Sequence, residues 1–160
     1  VVANPLVNIL IQGRHDTYPK RRGLTRVAEL RAAGLTVAFG SDCMLDPWYP
    51  LGAADMLDAA YMAVHVGQLS SLEAMRWCVD AVTTAPARIM GLEGYGLQVG
   101  DRADLVLLQA RDPIDALRTR ATRLAVVKGG RIVAETAPRT TRLDLPGRPV
   151  SVAPEGPVSR

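Results

Sequence analysis

The residues best equipped for chemistry gather in GSDCMLDPWY, residues 40–49, where two carboxylates, a thiol and two aromatics fall within one short stretch. Asp42 is the pivotal one, because it follows the apolar run Thr36, Val37, Ala38, Phe39 and so ends a strand suited to a core. A charge left unpaired beside a core is expensive. Two resolutions are open at this point. A bound divalent cation would answer the charge and keep the carboxylate ionised. Alternatively, Asp42 accepts backbone N–H groups in an Asx-turn or at a helix cap.

The elements around Asp42 decide what it is presented to. The opening VVANPL reads as a strand and leads into the polar loop QGRHDTYPKRRG. A helix is expected over about Leu24 to Ala33, with Thr25 and Gly34 at cap positions. Residues 35–39 lack clean alternation, as suits a strand buried on both faces. Beyond the loop 40–52, a long helix is expected from about Ala53 to Leu69, with Leu57, Tyr61, Val64 and Gln68 in register. SSLE (Ser70 to Glu73) matches a capping box for a helix reaching about Val82, and Thr84 before Pro86 opens a short helix closed by Gly91. Ala103–Leu108 reads as a strand, and LAVVKGGRIVAE as a hairpin around Gly129-Gly130. From Ala137 the chain carries five prolines and is expected to be an extended or disordered tail.

Strands alternating with helices argue for an α/β fold with parallel βα units. Two such units cannot close a sheet, and a whole (β/α)8 barrel needs roughly 200 residues or more. The chain has 160, so the expectation is the end of a barrel: its last βα units and C-terminal helices over 1–91, part of an appended β-sandwich-like domain over 92–136, and the proline-rich tail over 137–160. In barrels of this kind the C-terminal ends of strands line the active site, which nominates Asp42 by position.

Bulk properties narrow the partners. The net charge is only +3, lysine occurs only at positions 20 and 128, and no basic stripe stands beside stacking aromatics, which disfavours nucleic acid. No apolar run approaches the roughly 18 to 20 residues that span a bilayer. VVANPLVNILIQGR, broken by Asn4, Pro5, Asn8 and Gln12, does not have a signal peptide's shape, and it opens as a fragment would, in mid-strand. Cys43 and Cys78 have neither metal-type nor disulfide-framework spacing, so a reducing, cytoplasmic setting is expected.

The stretch NPLVNILIQGRHDTYPKRRGLTRVAELRAAGLTVAFGSDCMLDPWYPLGAADML resembles the C-terminal half of bacterial cytosine deaminases, in the amidohydrolase superfamily. The similarity continues through HVGQ, TTAPARIMGLEGYGLQVGDRADLVLL and VVKGGRIVAET, to about residue 140. DPWYPLG is its most specific part, whereas GDRADLVLL and GGRIV are shared across many amidohydrolases. The resemblance implies a metal-dependent (β/α)8 enzyme that hydrolyses an amino group from a pyrimidine, with one divalent ion, iron or zinc, and a homo-oligomer in the full-length parent. It implies that Asp42 ligates the metal and takes a proton from the attacking water, and that Trp48 helps enclose the substrate; ordinary packing of Trp48 is the alternative. A metal makes water nucleophilic near neutral pH, and ammonia leaves once a general acid has protonated it.

Two departures stand out. The histidines and glutamate that complete the metal site in the family lie upstream of the region represented here. His15, in a polar loop, and His65, in a predicted helix, match neither, and no role is assigned to them; the PCxxC signature of unrelated zinc deaminases is absent. Many relatives also carry a second acid directly after the metal aspartate, where this chain has Cys43. A neutral thiol there changes the hydrogen bonding offered to the ring, which points to isocytosine or a 5-substituted cytosine; the alternative is a small buried residue. Two other functions fit the same residues: an aminotriazine hydrolase on this scaffold, since such relatives also follow Ser-Asp with a nonacidic residue, and a noncatalytic binding or assembly module.

Overall fold

The computed structural model describes residues 1–153 and 156–157. The chain divides into two compact units, Val1–Glu93 and Gly94–Arg160.

The first unit is organised about two short parallel strands, β1 (Val2–Ala3) and β2 (Ala38–Phe39), in register Val2 to Ala38 and Ala3 to Phe39. The pairing is extended by one bond at its end, where Gly40 N–H donates to Ala3 C=O at 2.9 Å. The opening strand is shorter than the sequence suggested, because Pro5 starts a helix, α1 (Pro5–Ile11). Proline has no N–H to give a ladder, but its fixed φ suits the first helical turn. With β1 cut to two residues, β2 has little to pair with and shrinks from the expected 35–39 to Ala38–Phe39.

The helices that follow are α2 (Val27–Ala32), α3 (Met56–Val66), α4 (Leu72–Asp80) and α5 (Thr84–Ile89). Each expected helix is present with trimmed ends. Helix α2 starts at Val27, and Thr25 lends only its backbone carbonyl to Val27 N–H at 2.7 Å. Helix α3 starts after Asp55, whose carboxylate accepts the Leu57 N–H at 3.0 Å. The cap of α4 is Ser71, not Ser70: its hydroxyl accepts from Ala74 N–H at 3.1 Å. That shift releases Glu73 from the expected capping box, and it pairs instead with Arg31 of α2 at 2.8 Å.

The core face of α3 also differs from expectation. Leu57 is buried, but Ala59, Ala60 and Ala63 fill the rest of that face while Tyr61 and Val64 are half-buried. Alanines let neighbouring backbones approach closely, and α3 packs on α1, α4 and β2. Phe39 is fully buried there; its ring meets Trp77 edge-on at 5.5 Å, and its N–H donates to Ala81 C=O at 2.8 Å.

In the second unit, β3 (Leu105–Leu108), β4 (Arg123–Lys128) and β5 (Arg131–Glu135) form an antiparallel sheet in that order. Gly129 and Gly130, at φ +55° and +76°, make the tight turn between β4 and β5. Asp104 accepts from the Lys128 ammonium and from Gly129 N–H at 2.7 Å, which locks the turn to the start of β3. A helix absent from the sequence reading, α6 (Pro113–Thr119), lies between β3 and β4. Its signal was legible: Asp112 caps Ile114 and Asp115 at 2.8 and 2.9 Å, directly before Pro113.

Part of the proline-rich stretch expected as a tail is tied down. Arg139 is held at both its N–H and C=O by the buried Gln109 amide, at 2.7 and 2.8 Å. Beyond it, β6 (Thr141–Arg142), β7 (Ser151–Ala153) and β8 (Gly156–Pro157) pair antiparallel. Residues 154–155 and 158–160 of the predicted tail lie outside the described residues.

Candidate active site

The register of the two parallel strands builds the site. Because Ala3 faces Phe39, the residue after β1, Asn4, comes alongside Gly40, and Asp42 follows at the mouth of the same strand pair. The contact at Gly40 is close: a side-chain carbon there would stand 2.5 Å from Asn4 Oδ1. With the amide oxygen on Gly40, Asn4 Nδ2 points the other way and donates to Asp42 Oδ2 at 3.3 Å.

Asp42 is exposed and adopts φ +63°, a left-handed conformation that aspartate tolerates better than most residues. It caps no helix, and no backbone N–H among the described residues donates to its carboxylate. The Asx-turn of the loop belongs to Asp46 instead, whose Oδ1 accepts from Trp48 N–H at 2.9 Å and Tyr49 N–H at 2.8 Å. The Tyr49 N–H, with help from the Cys43 thiol, holds the Asp46 carboxyl below its ordinary range. A second left-handed residue, Leu45 at φ +52°, gives the loop its bend. A bulky side chain in that region costs about 1–3 kcal/mol, and such residues gather at functional sites.

Cys43 is half-buried between the two aspartates, with Sγ 3.8 Å from Asp42 Oδ1. Partial burial first, then the Asp46 and Asp42 carboxylates, push its thiol up to about 11. At neutral pH it is therefore a neutral donor and a poor nucleophile. Trp48 is 64% exposed, whereas its neighbour Tyr49 is buried at 6%. Within this chain Tyr49 is the packed aromatic of the loop and Trp48 the exposed one.

The histidines take other places. His65 Nδ1 lies 2.8 Å from Tyr61 C=O one turn earlier on α3. His15 is exposed in a turn clamped by the two-pronged Asp16–Arg21 pair, both prongs at 2.7 Å. Among the described residues no three His, Cys, Asp or Glu side chains gather closely enough to hold a metal ion. Asp42 offers an exposed, hard oxygen donor of the kind a divalent ion takes. A cavity of about 520 Å³ is lined by Gln12, Gly13, Arg21, Arg22 and Gly23, so Asp42, Cys43 and Trp48 are not part of it. Sequence reasoning missed Asn4; the Asn-Pro pair at the end of an apolar run was the available signal.

A profile of the Amidohydrolase family matches residues 1–134. The chain belongs to that family. Its backbone superposes on 5-methylcytosine deaminase from Klebsiella pneumoniae, solved with phosphonocytosine, with a TM-score of 0.81 and 36% identity over 91% of this chain and 35% of that one. N-isopropylammelide isopropylaminohydrolase from Burkholderia multivorans gives a TM-score of 0.68 and 38% identity over 73% of this chain and 30% of that one. Pterin deaminase from Rhizobium rhizogenes is 34% identical over 146 residues, 90% of this chain and 33% of its own length. The chain therefore spans about a third of the relatives it matches. Among the described residues, no helix is long and apolar enough to cross a membrane.

Proposed function

We propose that this chain supplies the C-terminal part of a metal-dependent amidohydrolase that releases ammonia from a pyrimidine base, with cytosine, isocytosine or a 5-substituted cytosine as substrate. The observation that carries the reading is the exposed Asp42 carboxylate at the mouth of a parallel strand pair, in a chain that superposes on a 5-methylcytosine deaminase at a TM-score of 0.81. In this reading residues 1–91 are the last βα units of a (β/α)8 barrel with its C-terminal helices, and 92–136 belong to an appended β domain. The free thiols Cys43 and Cys78 agree with a reducing, cytoplasmic compartment.

Asp42 would hold one divalent ion, iron or zinc, together with ligands that precede this chain. When bound, the ion supplies the Lewis acidity that makes water nucleophilic near neutral pH. Asp42 would also accept the proton of the attacking water, through an exposed carboxylate whose Oδ1 carries the long Cys43 thiol contact at 3.8 Å. Trp48 closes over the flat ring, and Cys43 offers a neutral donor beside it.

The assay is ammonia release by the full-length protein loaded with zinc or ferrous iron, on cytosine, 5-methylcytosine, isocytosine, pterin and an aminotriazine. The expected result is metal-dependent release, fastest from a pyrimidine. Preference for the aminotriazine would establish the second reading, favoured by the 38% identity to the ammelide hydrolase and by the uncharged residue after Asp42. No metal-dependent release from any of them would leave a noncatalytic module.

A further inference from the structure

We propose that Asn4 is a positioning residue for Asp42, fixing one carboxylate oxygen so that the other faces the reacting centre. The inference rests on the proposed role of Asp42 as metal ligand and proton acceptor, and it adds a residue from a different strand to that site.

Three observations carry it. Asn4 occupies the N-cap position of α1, where asparagine ordinarily accepts a backbone N–H, yet its side chain makes no cap bond. The amide is spent instead on Asp42 Oδ2 at 3.3 Å, across 38 positions of sequence. Its direction is imposed from behind, since Gly40 leaves room for Oδ1 that any larger residue would fill. The backbone bond from Gly40 to Ala3 and the Ala3–Phe39 register hold the two strand ends at a fixed spacing. Asp42, left-handed and exposed at the start of a bent loop, has no backbone donor of its own to orient it. The other oxygen, Oδ1, carries the long Cys43 thiol contact at 3.8 Å, and a ligating carboxylate fixed through Oδ2 presents it with less reorganisation.

The test uses the full-length protein with Asn4→Ala and Asn4→Asp, read by metal retention against a competing chelator with zinc alone, by kcat and KM, and by crystal structures of the metal-free variants. Loss of such a partner lowers metal affinity or turnover by about tenfold or more. The expected pattern for Asn4→Ala is that loss in zinc affinity and kcat, an unchanged KM and melting temperature, and a rotated Asp42 carboxylate in the crystal. Asn4→Asp keeps the volume, sets a like charge against Asp42, and should lose more. An Asp42 carboxylate in its original place in both metal-free variants, with zinc affinity unchanged, would overturn the inference. Asp42→Ala separates the two claims. If it spares metal binding and turnover, the proposed function fails; if it abolishes both while Asn4→Ala matches the parent, only the positioning role fails.

Discussion

Cys43 Sγ stands 3.8 Å from Asp42 Oδ1 and within bonding reach of Asp46, so one neutral thiol separates two carboxylates. The position is where many cytosine deaminases carry an acid, and here it offers a donor without a charge. Cys43→Asp in the full-length protein should raise the kcat/KM ratio of cytosine over 5-methylcytosine by about tenfold or more, since a polar group matched to a substrate atom discriminates strongly. An unchanged ratio would make Cys43 a packing residue and remove it from the substrate site.

Burial pushes the Cys78 thiol up to about 12 from an ordinary value of 9.0. A folded-state value above the unfolded one means the unfolded chain releases the proton first as pH rises. The stability that this thiol contributes is therefore complete below pH 9 and lost progressively between 9 and about 12. Denaturant melts at pH 8 and pH 10.5 should show the fall, and Cys78→Ala should flatten it. A fall of equal size in the variant would assign the effect to other groups.

The parallel order of β1 and β2, the helices α2 to α5 and the Gly129-Gly130 hairpin were legible, because each rests on local pattern: an apolar run, a cap, a turn pair; α1, begun by Pro5, was not. What was not legible depended on contacts distant in sequence. Ser71, not Ser70, caps α4, and Glu73 pairs with Arg31, 42 positions away. The tail looked free because nothing local shows that Gln109 will hold Arg139 from 30 positions away. Asp42 was found from its place after an apolar run, whereas Asn4 needed the strand register. Helix α6 is a different case, since its signal is local: Asp112 at the cap and Pro113 in the first turn.

Phe39 anchors β2 beneath the site by burying its whole ring against Trp77. Phe39→Ala should destabilise the fold by about 3–5 kcal/mol, the range for emptying a large aromatic site. Chemical denaturation measures this directly. A cost near zero would mean that the interior collapses freely around position 39.

Trp48 offers the opposite case, exposed above a buried Tyr49. Trp48→Ala should leave stability within about 0.5 kcal/mol of the parent, as for other surface positions. If the ring covers substrate, KM for the pyrimidine should rise in the full-length protein. Equal KM with equal stability would leave Trp48 without a part in the site.

Residues 1–160 purified alone should release no ammonia from cytosine or isocytosine when zinc or ferrous iron is added. A catalytic zinc ion takes about three protein ligands. Among the described residues Asp42 has no His, Cys, Asp or Glu cluster to join it, since His65 is bonded to its own helix and His15 sits in the Asp16–Arg21 turn. Zinc should therefore bind weakly, and Asp42→Ala in this chain should change that binding little. The chain should also self-associate, because Val106, Leu107, Ile132 and Val133 are all more than half exposed on the β3–β5 sheet. Light scattering reports the association and isothermal titration the zinc affinity. Metal-dependent turnover approaching that of the full-length protein would overturn the assignment of the missing ligands to a preceding segment.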